Sequence, residues 1–421
     1  MKHVLKATLL VAFLAACQGK EKIVPQPDPI DNPPVDTGMV VPVGVADGDP
    51  VTRVIGPTGG TIATGDGRIT VVIPAGALAA ETGFTVQPIT NTNKAGLGKA
   101  FRITPHQVLT KPATITFQYE DADLANTFAE ALGIAYQDNS GKWKAVGGIQ
   151  LNKTNKTVTV KTTHFSDWSF FEAIFLEPAN AFLDLGQSMP LAVKSYFNAS
   201  MNDLLYPLTQ EGVEHYIGNP KNDVSAEYID GWALAGAGNL SSNGGHAAYQ
   251  APATMPASNP AVVTVRVKLK NGALGLILAN MFVAQEGIAY RIDGGQWELL
   301  PAASGHSGNG VSGIGATPGE GSFPSCNLTW LGAPEGRRPW SETTYFTLQK
   351  SPEHLFLAYY QVGQTSRPSP GYFHAVSVGG VGGDITGTFR LDKASSQKKV
   401  GDHTVYAEHK IDGIFKVKRL I

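Results

Sequence analysis

The sequence predicts an all-β chain built as tandem β-sandwich modules after a leader and a disordered tether. Three observations carry this. Of 421 residues, 48 are Gly and 27 Pro, only 16% are charged, and short runs rich in Val, Ile, Thr and aromatics recur between turn signals. Without the first 16 residues the chain keeps 405, too many for one all-β core, so several domains are expected.

The first element is an export leader, residues 1–16. Lys2 and Lys6 form its basic end, residues 9–14 supply an apolar run too short to span a bilayer, and Leu14-Ala15-Ala16 precede Cys17. This stretch resembles the lipobox of bacterial lipoproteins. The resemblance implies cleavage before Cys17, acylation of its thiol with diacylglycerol and palmitate, and membrane attachment through lipid. Gln18 is not the aspartate that retains some lipoproteins at an inner membrane, so the same resemblance implies an outer-membrane address, with the periplasmic or surface face open.

Residues 17–50 carry Pro25, Pro27, Pro29, Pro33, Pro34, Pro42 and Pro50 among Asp, Gly and Val, a composition expected to stay extended as a tether. Loss of the leader removes two lysines and no acids, leaving 31 basic against 35 acidic residues, a net charge of −4. That balance gives no basic surface for nucleic acid. Cys326 is the one cysteine besides Cys17, which excludes an intrachain disulfide framework in the mature chain.

Residues 51–173 read as the first sandwich. Gly59-Gly60 mark a turn, strand-like runs follow, and Pro74-Ala75-Gly76 break one of them. Residues 121–132 are expected to form a short helix. Gly59-Gly60-Thr61, Ile73-Pro74-Ala75-Gly76-Ala77-Leu78 and the closing His164-Phe165-Ser166 resemble the ZU-five domain, shared by ankyrins, netrin receptors and bacterial surface proteins. The family implies a binding or structural β-domain.

Residues 174–284 form the second unit. Gly238-Asn239-Leu240-Ser241 and Tyr249-Gln250-Ala251-Pro252 resemble the late strands of bacterial immunoglobulin-like domains. Residues 203–215 read as an inserted loop or short helix, and 272–282 as a buried strand pair. Residues 285–421 form a third β-domain, opening on a hairpin with Asp293-Gly294-Gly295 at its turn. Seven glycines between Ser304 and Ser322 read as a long mobile loop.

The sharpest chemical candidate is His164-Phe165-Ser166. In some eukaryotic ZU-five relatives this tripeptide cleaves itself, which by resemblance would make Ser166 attack the Phe165 carbonyl with His164 as base. In a regular strand positions 164 and 166 lie about 6.6 Å apart, too far for proton transfer, so cleavage requires a distorted backbone. Phe165 is out of phase with Val158, Val160, Trp168 and Phe170, which calls for a bulge near 162–166 or for packing on the other face.

Other candidates are weaker. Gly305-His306-Ser307-Gly308-Asn309 lacks the second glycine and the strand-turn-helix setting of a nucleophile elbow. His106, His215, His246, His354, His374, His403 and His409 have no ligand spacing, and neither Asp47 with Asp49 nor Asp121 with Asp123 continues into a calcium loop. No metal or cofactor is therefore expected. Trp232, Trp297, Trp330, Trp340, Tyr345, Tyr359 and Tyr360 would serve either as packing or as a glycan-binding face. The expectation is a non-enzymatic envelope lipoprotein that displays β-modules for adhesion, scaffolding or binding of a protein or glycan. Self-cleavage and glycan binding are the alternatives.

Overall fold

The computed structural model describes residues 38–197, 203–218, 221–301, 303–318 and 321–421. The leader, Cys17 and the tether up to residue 37 lie outside them. Among the described residues the fold is all-β, with one α-turn and three 3-10 turns. No helix among them is long and apolar enough to cross a membrane.

The first sandwich stacks two sheets. One runs Val51–Ile55, Thr82–Ile89, Gly96–Thr104, Asp167–Glu172, Leu132–Gln137 and Trp143–Val146; the other runs Gly60–Ala63, Ile69–Ile73, Val108–Gln118, Thr157–His164 and Gln150–Asn152. Alternation places Ile69, Val71 and Ile73 inward from one sheet and Phe84 and Val86 from the other, all at most 1% exposed. The two motifs at its start touch. Gly59 has φ 77°, and a Cβ there would lie 2.5 Å from the Ile73 carbonyl oxygen and 2.7 Å from the Ala75 nitrogen, so only glycine fits. The helix expected over 121–132 is instead two 3-10 turns, Asp121–Leu124 and Ala129–Ala131, with Phe128 between them extended and buried.

The second sandwich packs Ile174–Glu177, Ser188–Ser195, His246–Gln250 and Asn239–Asn243 against Asn180–Leu183, Leu274–Val283, Ala261–Lys268 and Ile229–Ala235. Tyr249 is fully buried and donates its hydroxyl to the Ala237 carbonyl at 2.8 Å. Gly238, φ 107°, lies directly under the Tyr249 ring. Residues 272–282 are not a buried pair but part of one strand with a wet outer face, on which Leu274, Leu276 and Leu278 stay exposed.

In the last domain the strand path closes on itself. Asp384–Val400 pairs with His403–Arg419, whose other edge meets Ala303–Gly308 in parallel; from there pairing continues through Val311–Ala316, Ser325–Leu331, Thr344–Ser351 and His354–Leu357 back to Asp384–Val400. Closure removes sheet edges and encloses Trp330, Phe373, Phe389 and Phe415. Residues 304–316, expected within a mobile loop, are a hairpin. Asn309 and Gly310 have φ of 52° and 75°, the left-handed pair of a two-residue Asn-Gly turn, and the surrounding glycines hid that signal.

The domains are joined rather than strung. One apolar cluster runs from Ala100, Phe128 and Phe171 of the first sandwich into Ile174, Val193 and Tyr249 of the second. Residues 203–217 turn back through the short helix Tyr206–Thr209 and add the strand Glu214–Tyr216 to the edge of the first sandwich at Trp143–Val146. Phe182 and Phe282 of the second unit pack with Trp297 and Ile414 of the third. Asp36–Ile421 accordingly forms one compact unit. Residues 38–50, expected to belong to the extended tether, lie against the first sandwich. Val41 N–H donates to Gly141 O, Asp47 N–H to Pro88 O, and Thr90 N–H to Val45 O, at 2.8–2.9 Å.

Candidate functional site

The strand Thr157–His164 ends in a register shift between Thr162 and His164, a bulge and thus one of the two explanations that the phase of Phe165 left open. Phe165 turns into the sandwich core, 3% exposed, edge-on to Phe84 at 5.5 Å. The Ser166 hydroxyl donates to the Gln137 carbonyl at 2.5 Å, and the Ser166 carbonyl accepts from Ile103 N–H at 3.0 Å. The His164 ring lies against Tyr136 at 4.6 Å and Trp168 at 5.7 Å, where burial lowers its pKa. None of the three residues has positive φ. His164 also borders a cleft of about 540 Å³ that residues 211–214 close from the second unit.

The aromatics do not assemble into one platform. Trp330 and Trp340 are core, and Trp232 is half-buried with its N–H on the Gly244 carbonyl at 2.8 Å. Tyr345 is exposed, and Tyr359 and Tyr360 sit on a separate two-stranded ribbon. Ser307 lies on a strand and shares a hydrogen bond with Ser312 at 2.8 Å. Cys326 is a buried free thiol, its pKa pushed up by burial. Among the described residues no group of three or more His, Cys, Asp or Glu is placed to hold a metal.

Trp297 leads to a site that sequence reasoning missed. It lines a cleft of about 660 Å³ where the first sandwich, the segment 38–50 docked on it and the last domain converge. Asn91 and Glu172 contribute from the first sandwich, Asp47 from the docked segment 38–50, and Trp297, Arg338 and Tyr372 from the last domain. Gly96 leaves room for the Asn91 side chain, since a Cβ there would fall 2.3 Å from its nitrogen. The Asn91 oxygen accepts from Asn93 N–H and the Ser169 hydroxyl at 3.1 Å, which fixes the amide and leaves Nδ2 buried without a partner.

Most charges around this cleft are matched. Arg68 and Asp123 pair at 2.7 Å, Arg390 and Asp392 at 2.7 Å, Arg291 and Asp412 at 3.0 Å, and Lys99 and Asp47 at 3.1 Å. Burial works against the charge on Asp123, yet Arg68 and Arg390 hold its pKa below the usual value. Burial likewise opposes the Arg390 cation, and Asp392, Asp412 and Asp123 outweigh it. Four buried polar atoms on the cleft residues have no hydrogen-bond partner: Asn91 Nδ2, Glu172 Oε2, Trp297 Nε1 and Arg338 Nε. Glu172 as a residue is half-buried, but its Oε2 is sealed, and burial raises its pKa from 4.5 to about 8. No local motif signals this site, because its walls come from residues as far apart as 91 and 338.

Comparison with models of known protein families gives no match, and comparison with curated proteins gives none either.

Proposed function

We propose that this chain is a cell-envelope lipoprotein, anchored through acylated Cys17, that displays joined β-domains to bind a ligand without chemical turnover. One observation carries the binding role: a cleft of about 660 Å³ lined from the first sandwich, residues 41–47 and the last domain within a continuous scaffold. A preformed concavity of this size, mixed in polar and aromatic lining, favours a bound ligand. The shared core of the first and second units and the packing at Trp297 hold the walls in place. The address rests on the basic-apolar leader ending at Cys17. The contact of Gly59 with residues 73–75 supports a ZU-five-like character for residues 51–173, and Tyr249 over Gly238 supports an immunoglobulin-like one for 174–284.

The test compares the wild-type chain with Cys17→Ala in cells fed an alkyne palmitate analogue, then exposes the purified full chain to panels of extracellular proteins and glycans. Acylation and membrane retention that vanish in Cys17→Ala, with binding that leaves the ligand intact, fit the proposal. Retention without Cys17, or turnover of a bound partner, contradicts it.

A further inference from the structure

We infer that the cleft of about 540 Å³ beside the strand Thr157–His164 is a docking slot for an extended, basic peptide segment of a partner protein, which adds to that strand as a further strand. This slot is separate from the cleft at Trp297 and does not rest on the reading of it.

The open edge originates in the path of the chain. In its sheet Thr157–His164 lies between Val108–Gln118 and Gln150–Asn152, but Gln150–Asn152 pairs only with Thr157, Val158 and Thr159. Extended toward its N-terminal side, that short strand would run alongside residues 160–164. Gly147-Gly148 instead connect it to Trp143–Val146 in the facing sheet. Gly148 has φ 75°, and a Cβ on Gly147 would fall 2.1 Å from the Gln210 carbonyl oxygen, so the detour requires glycine at both positions.

The direction of the free groups follows from the ladder. Tyr119 N–H donates to Lys156 O at 2.8 Å, one step beyond the pair of Thr157 with Gln118. Antiparallel pairing alternates, so Val158, Val160 and Thr162 turn their backbone groups to Val108–Gln118, while Thr157, Thr159, Lys161 and Thr163 turn theirs to the other edge. Gln150–Asn152 meets the first two of these. Lys161 and Thr163 have no ladder partner there among the described residues, and both are exposed. Such an edge is a template for an extended backbone.

The rest of the lining selects among peptides. Residues 159–164 line the cleft together with 146–148 and 211–214. Glu211 is exposed and makes no ion pair among the described residues. Glu214 shares one oxygen with the Tyr136 hydroxyl at 2.7 Å and lies 3.9 Å from Lys144. Lys161 is the one cation among the described residues of the lining, since burial lowers the pKa of His164 and leaves it neutral near neutral pH. Two carboxylates against one ammonium favour a segment that carries Lys or Arg.

The experiment is fluorescence anisotropy of the full chain in detergent with a labelled heptapeptide, Thr-Lys-Val-Thr-Val-Lys-Thr, blocked at both ends. Its relatives carry Glu for both Lys, Pro for both Val, or backbone N-methylation at either the even or the odd positions. The basic peptide is expected to bind, the acidic one at least roughly tenfold more weakly, and the proline one not measurably. One methylation phase should bind and the other should not, because a strand edge meets alternate residues. Glu211→Lys should reverse the order of the basic and acidic peptides. Lys161→Pro removes an edge donor yet makes the cleft more acidic; it should weaken the basic peptide roughly tenfold, whereas Lys161→Ala, which keeps the donor, should not. Should Lys161→Pro fail to fold, the two methylated peptides make the same distinction in the wild-type chain. No binding of any peptide, equal affinity for the acidic one, or equal loss in both methylation phases overturns the inference. Light scattering that shows a dimer dissolved by the basic peptide would seat a second copy on the edge and overturn the assignment to a partner protein.

Discussion

Asp123 and Arg390 face each other across the junction of the first sandwich and the last domain, Oδ1 to Nη2 at 3.9 Å, with the Asp123 side chain wholly buried. Asp123 also holds Arg68 from its own sandwich through two hydrogen bonds, at 2.7 and 3.3 Å. One carboxylate thus neutralises guanidinium groups from two domains. Lys410 and Glu120 pair across the same boundary.

Asp123→Ala is therefore expected to destabilise the protein by roughly 3–5 kcal/mol, because it strands buried positive charge rather than merely deleting a contact. Urea unfolding of the full chain checks this. A change under about 0.5 kcal/mol, the size of an ordinary surface substitution, contradicts it.

Glu172 gives stability a pH slope of defined sign. Below its ordinary pKa of 4.5 both folded and unfolded chains are protonated at this position. Between 4.5 and about 8 the unfolded chain ionises while burial keeps the folded one neutral, so stability falls as pH rises and levels off above that window. Lys221 opposes the shift and Asp123 reinforces it. The slope approaches about 1.4 kcal/mol per pH unit, and Glu172→Gln should flatten it. Denaturation midpoints across the window, compared between the two chains, decide the matter.

Three glycines lie under phenylalanine rings from directly opposite residues: Gly133 under Phe171, Gly413 under Phe389 and Gly387 under Phe415. A Cβ at Gly413 would fall 2.0 Å from the Phe389 ring. Gly413→Ala should destabilise by about 1–3 kcal/mol through overpacking. Adding Phe389→Leu should recover part of that loss in thermal denaturation, and a purely additive double variant sinks the account.

In a Cys17→Ser chain Cys326 is the sole thiol. Being fully buried with a raised pKa, it should resist maleimide in the native state and react once the chain is unfolded. Rapid native labelling counted by mass would show that the last domain opens locally.

At His164-Phe165-Ser166 the hydroxyl is engaged by Gln137 and the imidazole packs against both Tyr136 and Trp168. Intact-mass measurement should find a single uncut species, identical in pattern to Ser166→Ala. That variant should lose about 1 kcal/mol with its hydrogen bond. A fragment beginning at Ser166 would reverse this expectation.

Much of the strand inventory was legible because alternation is local: Ile69, Val71 and Ile73 announce an inward face without knowledge of its partner. The broken phase near residue 163 was legible, but not whether a bulge or packing on the other face caused it. The hairpin at Asn309-Gly310 was not, since glycines on both strands blurred it into loop composition. Nor was the docking of residues 38–50, whose prolines suit an extended chain whether it lies free or along a sheet edge.

By itself the sequence determined the all-β class, because periodicity and turn chemistry act between near neighbours. Only the tertiary structure decided that the first two units share a core, and that Asn91, Glu172, Trp297 and Arg338 meet in one cleft. The physical reason is that burial and hydrogen-bond satisfaction are properties of convergence. A polar atom becomes an orphan when distant segments close around it and supply no partner, and nothing near it in the chain records that outcome.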